Sequence, residues 1–294
     1  MLTIATLVDK NEDFIKLQYN SIKRFVKNDV KYIVFNNAST ETQRDIVSRA
    51  CDELGVECFN IYSNYSLDFS QIHAMALNTA WRVCLSHIKG TLMFLDSDMF
   101  FIKDTVIGNF DFDVAYIPQY RDNGEVEYMW AGLFILNMDT INTNIDFSIC
   151  NINGDRTDSG GGTYYFLKDS NYKKIYLRFS HLADIPSEEE LLIDINGCSG
   201  LLKVSKLDSS AVFSPHEVAA RQIYKDYLKH LELIEKYAFP KPYIFDLIRK
   251  EPDGNYFLFH FKNGNWGPQY NPEHLSLKKA ALIKMLADLG VEVE

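Results

Sequence analysis

The run Thr91-Leu92-Met93-Phe94-Leu95-Asp96-Ser97-Asp98 brings two carboxylates, one residue apart, to the end of an apolar segment. Strand alternation predicts that Asp96 and Asp98 share one side. Like charges held that close repel, and a hard cation that bridges them to a phosphate relieves the repulsion. The silent alternative is that Asp96 caps the turn while Asp98 is solvated, and a bare D-x-D arises often by chance. Two further stretches bear reactive groups. Thr157-Asp158-Ser159-Gly160-Gly161-Gly162-Thr163-Tyr164 places an acid in a flexible turn leading into a helix, where Asp is also a favoured N-cap. Phe257-Leu258-Phe259-His260-Phe261-Lys262-Asn263-Gly264-Asn265-Trp266 alternates His260 with aromatic residues, which also suits a polar position on a half-buried strand.

The elements that must position these groups alternate in type. Leu2 to Val8, Lys31 to Phe35, Val56 to Tyr62 and Thr91 to Leu95 read as strands, separated by helices over Phe14 to Val26, Glu41 to Leu54 and Ser70 to His87. In the first helix Phe14, Leu17, Ile22 and Phe25 recur at inward spacing, and Gly55 stops the second. Strand-helix alternation is the sign of β-α-β units on a mostly parallel sheet, whose carboxyl ends face a ligand. After Asp98 the pattern loosens. Strands are predicted at Val114 to Pro118 and Ala131 to Asn137, and helices after the Gly-rich turn, over Val218 to Tyr237 and over Ser276 to Leu289. No repeat or low-complexity linker separates the halves, so one continuous body is expected, with a boundary near residue 120.

Composition narrows the function classes. Lys plus Arg is 30 against 40 for Asp plus Glu, a formal charge of −10 that repels a phosphate backbone and argues against nucleic acid as a partner. The five cysteines are scattered without a C-x-x-C pair, as expected of free thiols in a reducing compartment. Met1 leads into Leu2-Thr3-Ile4 without the basic flank of a secretory signal, and no apolar run approaches the roughly 20 residues of a membrane helix. The expectation is a soluble, cytoplasmic protein with no transmembrane segment.

With these residues in view, the chain resembles glycosyltransferases of the GT-A fold, which bind a nucleotide-sugar diphosphate through a divalent ion held by such a D-x-D. The resemblance implies an α/β fold with a mostly parallel, Rossmann-like sheet flanked by helices. Residues 1–120 would bind the nucleotide sugar, and residues 121–294, less regular, the acceptor, a glycan or another hydroxyl. It implies base and ribose contacts from Thr6, Leu7, Val8 and Asp9, and a turn beside the base at Asn36 and Asn37. His73-Ala74-Met75-Ala76-Leu77-Asn78 is similar to the helix segment that lines the nucleotide site, with a polar helix face as the alternative for His73 and Asn78. Asp96 and Ser97 would lie against the donor. Trp130-Ala131-Gly132 is similar to the Ala-Gly strand of glycogenin-type members, where a small residue lets the donor sugar near the backbone. The position of Asp158 matches the acid near the anomeric carbon. It would be a general base toward the acceptor hydroxyl, or stabilise an oxocarbenium-like centre, with Asp155 in reserve. The stretch from His260 to Trp266 is similar to the C-terminal His-x-x-Gly segment. There His260 would complete a metal shell with Asp98 and Asp96, and Lys262, Gly264 and Trp266 would hold the diphosphate. The glycine stands one residue late and the usual Lys-Pro is missing, which weakens the subfamily match more than the fold. Imidazole with carboxylates favours Mn²⁺, with Mg²⁺ as the alternative. UDP is implied by the resemblance only.

Two rivals stand beside this reading. A haloacid-dehalogenase-like phosphatase also places D-x-D after an apolar strand, but continues to Thr or Val where this chain has Phe100, and carries the motif near its start. A catalytically silent sugar-binding protein would keep the fold without the chemistry.

Overall fold

A computed structural model describes residues 1–10, 12–108, 111–141, 144–169, 171–181, 190–195, 198–203, 226, 228–241, 245–250, 255–262 and 271–293. Its first half follows the expected alternation: β1 (Leu2–Val8), α1 (Glu12–Phe25), β2 (Val30–Asn36), α2 (Glu41–Leu54), β3 (Glu57–Asn60), α3 (Phe69–Val83) and β4 (Thr91–Leu95). Local chemistry sets the ends. Thr40 caps α2 by accepting the Gln43 N–H, and Gly55, at φ 65°, closes it in the left-handed conformation that favours glycine. Asp68 and Gln71 form a reciprocal capping box at the start of α3. The predicted helix to His87 is broken at Cys84, whose backbone leaves the helical region, and only a short 3-10 turn over Leu85–His87 follows.

The remaining strands are β5 (Met99–Phe101), β6 (Val114–Arg121), β7 (Val126–Asn137), β8 (Asn151–Ile152), β9 (Asp155–Arg156), β10 (Lys174–His181), β11 (Glu190–Ile195), β12 (Cys198–Lys203), β13 (Asp246–Lys250) and β14 (Tyr256–His260). Helices α4 (Thr163–Lys168), α5 (228–237) and α6 (Pro272–Asp288) complete the described residues. Of the predicted helix from Val218, residues 218–225 lie outside the described residues.

Among the described residues ten strands join in one sheet in the order β3-β2-β1-β4-β7-β6-β10-β13-β14-β5. The strands β3, β2, β1 and β4 run parallel, whereas β7 pairs antiparallel with both β4 and β6. At the far edge β13, β14 and β5 are antiparallel, which returns the chain just after Asp98 to the sheet beside His260. Apolar layers pack on both faces. Phe14, Leu17, Ile22 and Phe25 of α1 are buried as their spacing predicts. On the other face Phe134 stacks between Phe94 and Phe147, each ring pair at 5.2 Å. The result is a helix-flanked sheet, parallel in its first half and less regular in its second. Among the described residues no helix is long and apolar enough to cross a membrane.

Candidate active site

Strand β4 ends at Leu95, and the next three residues form a turn tied by the Met99 N–H donating to the Asp96 carbonyl at 3.1 Å. The strand stops at Leu95, so it is this turn and not strand alternation that places Asp96 and Asp98. Each carboxylate has its own histidine. Asp96 Oδ1 lies 3.4 Å from His73 Nε2 on α3, an ion-pair contact without hydrogen-bond geometry. Asp98 Oδ1 lies 3.5 Å from His260 Nε2 on β14.

The Asp96 side is closed by backbone packing. The Asp96 N–H donates to the Gly132 carbonyl at 2.8 Å, and a Cβ on Gly132 would meet Asp96 Oδ2 at 2.5 Å and the Trp130 ring at 2.4 Å. Ala131 beside it is fully buried. A strand that admits both a carboxylate and an indole at one residue requires glycine there. His73 Nδ1 meets Ser159 Oγ at 3.3 Å, which links α3 to the Gly-rich turn. Gly160 in that turn has φ 95° and lies so close to β7 that a Cβ would meet the Met129 carbonyl at 2.3 Å. Burial alone would lower the His73 pKa, but the charges of Asp96, Asp158 and Asp9 raise it above the ordinary value. Burial likewise pushes Asp96 up, and His73 and His260 more than offset this and hold it below the usual carboxylate range.

On the Asp98 side the partners are buried charges. Asp246 is fully buried on β13, directly opposite His260 in the register. Its Oδ2 lies 3.1 Å from His260 Nδ1 and its Oδ1 3.0 Å from Lys262 Nζ. An ionised carboxylate only accepts, so His260 donates from Nδ1 to Asp246 and directs Nε2 toward Asp98. The imidazole also packs against the rings of Trp130 at 5.5 Å and Phe179 at 5.9 Å, which touch each other at 4.8 Å. Burial lowers the His260 pKa, yet Asp98 and Asp246 prevail and raise it.

A cleft of about 1000 Å³ opens at the carboxyl ends of β1 and β2, lined by Asp9, Asn37, Tyr65, Asp68, Arg156 and Asp158 among others. Its wall includes neither Asp96 nor Asp98. The two regions join through Asp158, whose neighbour Ser159 touches His73. Arg156 reaches across to Asp68 at 2.9 Å. Asp158 lines the cleft and accepts the Ser159 N–H at 2.8 Å, while Asp155 is exposed on β9 and accepts the Asp122 N–H at 3.0 Å.

The other predicted residues fall into distinct groups. Asn37 lines the cleft, and Thr6 is buried with an Oγ1 that has no hydrogen-bond partner. Leu7 is half-buried and Val8 fully buried, its carbonyl accepting the Asn37 N–H at 2.7 Å. Asn36 spends its amide on the β2–α2 turn, donating to the Arg44 carbonyl at 2.9 Å and accepting the Ala38 N–H at 3.1 Å. Asn78 ties α3 to the 146–148 loop, donating to Asp146 and Ser148 and accepting the Phe147 N–H at 2.9 Å. Ser97 is half-buried in the turn. Lys262 commits its charge to Asp246, and Gly264 and Trp266 lie outside the described residues.

The predicted metal trio is not assembled. Among the described residues no group of three or more His, Cys, Asp or Glu could hold a metal ion. Asp98 and His260 do form a carboxylate-imidazole pair, and the carboxylate behind the imidazole is the usual support of a ligating histidine. That donor pair fits a divalent ion completed by ligand oxygens. Asp246 was missed by the sequence reading because no local pattern marks it. Lys278 was missed too, although it stands three and four residues before Ala281 and Leu282 on the apolar stripe of α6, where a lysine is out of place.

Fold and site together define a Rossmann-like sheet flanked by helices, with the two carboxylates at the carboxyl end of β4. No protein-family model and no curated protein matches the chain. It is similar to the apo structure of the bifunctional glycosyltransferase WbbM, with 15% identity and a TM-score of 0.31 over 47% of this chain and 31% of that one. It is also similar to an active-site mutant of LgtC, with 17% identity and a TM-score of 0.32 over 47% of this chain and 57% of that one. A third likeness is to residues 1–349 of S. aureus TarS, with 16% identity and a TM-score of 0.29 over 41% of this chain and 35% of that one. The chain covers less than two thirds of each, and likenesses this loose carry no weight for function.

Proposed function

We propose that the protein is a metal-dependent glycosyltransferase that moves a sugar from a nucleoside diphosphate, UDP in the first instance, to an acceptor hydroxyl on a glycan or another molecule. One observation carries this reading: two carboxylates at the end of a central parallel strand, each met by a histidine, one of them backed by a buried carboxylate. The half to residue 120 supplies the nucleotide contacts from Thr6 to Asp9 and from Asn37. The half from 121 to 294 supplies the acceptor side.

In the chemical step the acceptor oxygen forms the new bond to the anomeric carbon. The bond from that carbon to the phosphate oxygen breaks, and its electron pair leaves with the diphosphate. Asp158 takes the hydroxyl proton if the reaction inverts configuration, or stabilises the electron-poor sugar if it retains it. His73 holds the turn that carries Asp158 against Asp96. Ala131 and Gly132 leave room for the donor sugar beside the backbone. Asp98 and His260, with Asp96 beside them, would hold Mn²⁺ or Mg²⁺, which when bound neutralises charge growing on the leaving diphosphate.

A thermal-shift screen of nucleotides and nucleotide sugars, with and without Mn²⁺, tests the reading. Specific binding at 100 times its dissociation constant stabilises by about 2.7 kcal/mol. Stabilisation by a nucleotide diphosphate that requires the ion, followed by transfer or donor hydrolysis, supports it. Full activity after EDTA and dialysis, or turnover of a chromogenic phosphate ester instead, overturns it.

A further inference from the structure

A second cavity, of about 230 Å³, lies against the amino ends of β6 and β10, whereas the cleft opens at the carboxyl ends of the parallel strands. Strand register explains its floor. Ile135 on β7, Ala115 on β6 and Ile175 on β10 stand side by side across three strands, and Leu177 follows on the same face. The single methyl of Ala115 between two isoleucines leaves a hollow. Phe257 on β14 and Ile107 wall it. The segment 103–107 that covers it is pinned to the end of α1. The Thr105 N–H donates to the Phe25 carbonyl at 2.8 Å, and the Asn28 side chain accepts the Ile107 N–H at 2.8 Å and donates to the Ile107 carbonyl at 2.6 Å. The cavity is therefore preformed, as small-molecule sites usually are.

The charged residues around the hollow favour an anion. Lys103 and Lys250 line it, and Asp104 is the one acid among the described lining residues. Asp104 is already met by Arg24 at 3.2 Å and Lys27 at 3.0 Å. Lys103 is exposed, and its ammonium meets the neutral amide oxygen of Asn255 at 2.9 Å. An apolar cavity of about 150 Å³ takes benzene, so this larger one takes a chain of about eight carbons and is too small for a two-chain lipid. We propose that the cavity binds a free medium-chain carboxylate, with its chain over Ala115 and its carboxylate at Lys103. The proposal stands apart from the proposed glycosyl transfer and from its site.

Calorimetric titration of the full chain with octanoate, hexanoate and octylammonium, each below its micellar concentration, tests this. A buried methylene strengthens binding by about fourfold, so octanoate is expected to bind about 15-fold more tightly than hexanoate. Octylammonium brings a like charge to Lys103 and is expected to bind more weakly than octanoate. Ala115→Ile fills the hollow and abolishes octanoate binding. Lys103→Met, at an exposed side chain, weakens octanoate by about 2–5-fold, the worth of an exposed ion pair, and does not weaken octylammonium. The proposal is overturned if octanoate does not bind the parent, if octylammonium binds as tightly as octanoate, or if octanoate binds Ala115→Ile as it binds the parent. Should Ala115→Ile fail to fold, Lys103→Met decides, and unchanged octanoate affinity in that variant overturns the proposal.

Discussion

Around Asp96 the chain closes in through small residues and backbone, whereas around Asp98 it closes in through buried charge. Gly132 gives the first carboxylate its room, and the Gly160 turn brings Ser159 against His73. The second carboxylate instead faces an imidazole held by Asp246, with Lys262 and Lys278 behind it. The difference separates two ways of making a site rigid. Close packing excludes solvent without further polar groups, but tolerates no added volume. A buried ionic network rigidifies through directed contacts, and each member depends on its partners being present.

Several substitutions would break this contrast or sharpen it. The largest effect belongs to the turn held by the Asp96 side. Asp158→Asn is expected to lower turnover by roughly 10²–10⁴-fold with folding intact, the usual loss for a positioned base. Normal turnover in a folded variant would move the role to Asp155 or to no side chain.

Next comes the charged side. Asp246→Asn leaves His260 without a fixed tautomer, and Mn²⁺ affinity followed by electron paramagnetic resonance should fall by about 10–100-fold. Unchanged affinity would show that the ion, if bound, does not use His260.

Gly132→Ala tests the packed side directly. The added methyl meets Asp96 and Trp130 well inside contact distance, and overpacking of this kind costs about 1–3 kcal/mol in urea unfolding. An equal or higher midpoint would mean that the Trp130 ring swings away freely.

The smallest effect concerns a histidine outside both regions. His230 is buried on α5, stacked on Phe245 at 5.2 Å, and burial depresses its pKa below the ordinary 6.5. A depressed base is neutral in the folded state and takes up a proton on unfolding. Its stabilising contribution is therefore complete above pH 6.5 and lost as pH falls toward the folded pKa. The slope is at most about 1.4 kcal/mol per pH unit. Stability measured at pH 7 and pH 5 should fall less in His230→Gln than in the parent. An identical fall in both would remove His230 from the acid response.

Legibility in the sequence followed the range of the interactions. The parallel half was readable because its elements carry their own instructions: alternating apolar runs, inward residues at helical spacing, and the glycine that ends α2. The D-x-D and the Gly-rich turn were readable for the same reason. Their histidine partners were not, since His73 and His260 stand on other elements that no local pattern ties to the D-x-D. The second half was poorly readable because β10, β13 and β14 find partners far away in the chain. β13 follows β10 in the sheet after a long excursion, and β14 returns to β5 across more than half the sequence.

By itself, then, the sequence determined where the carboxylates, the histidines and the glycines lie along the chain, and that the first half is a β-α-β sheet, because caps and periodicity act over a few residues. Only the tertiary structure decided which histidine meets which carboxylate, that Asp246 stands behind His260, and that Lys278 is buried without an acid. Those facts depend on strand register and helix docking, where one residue's environment is built from segments that local patterning does not connect.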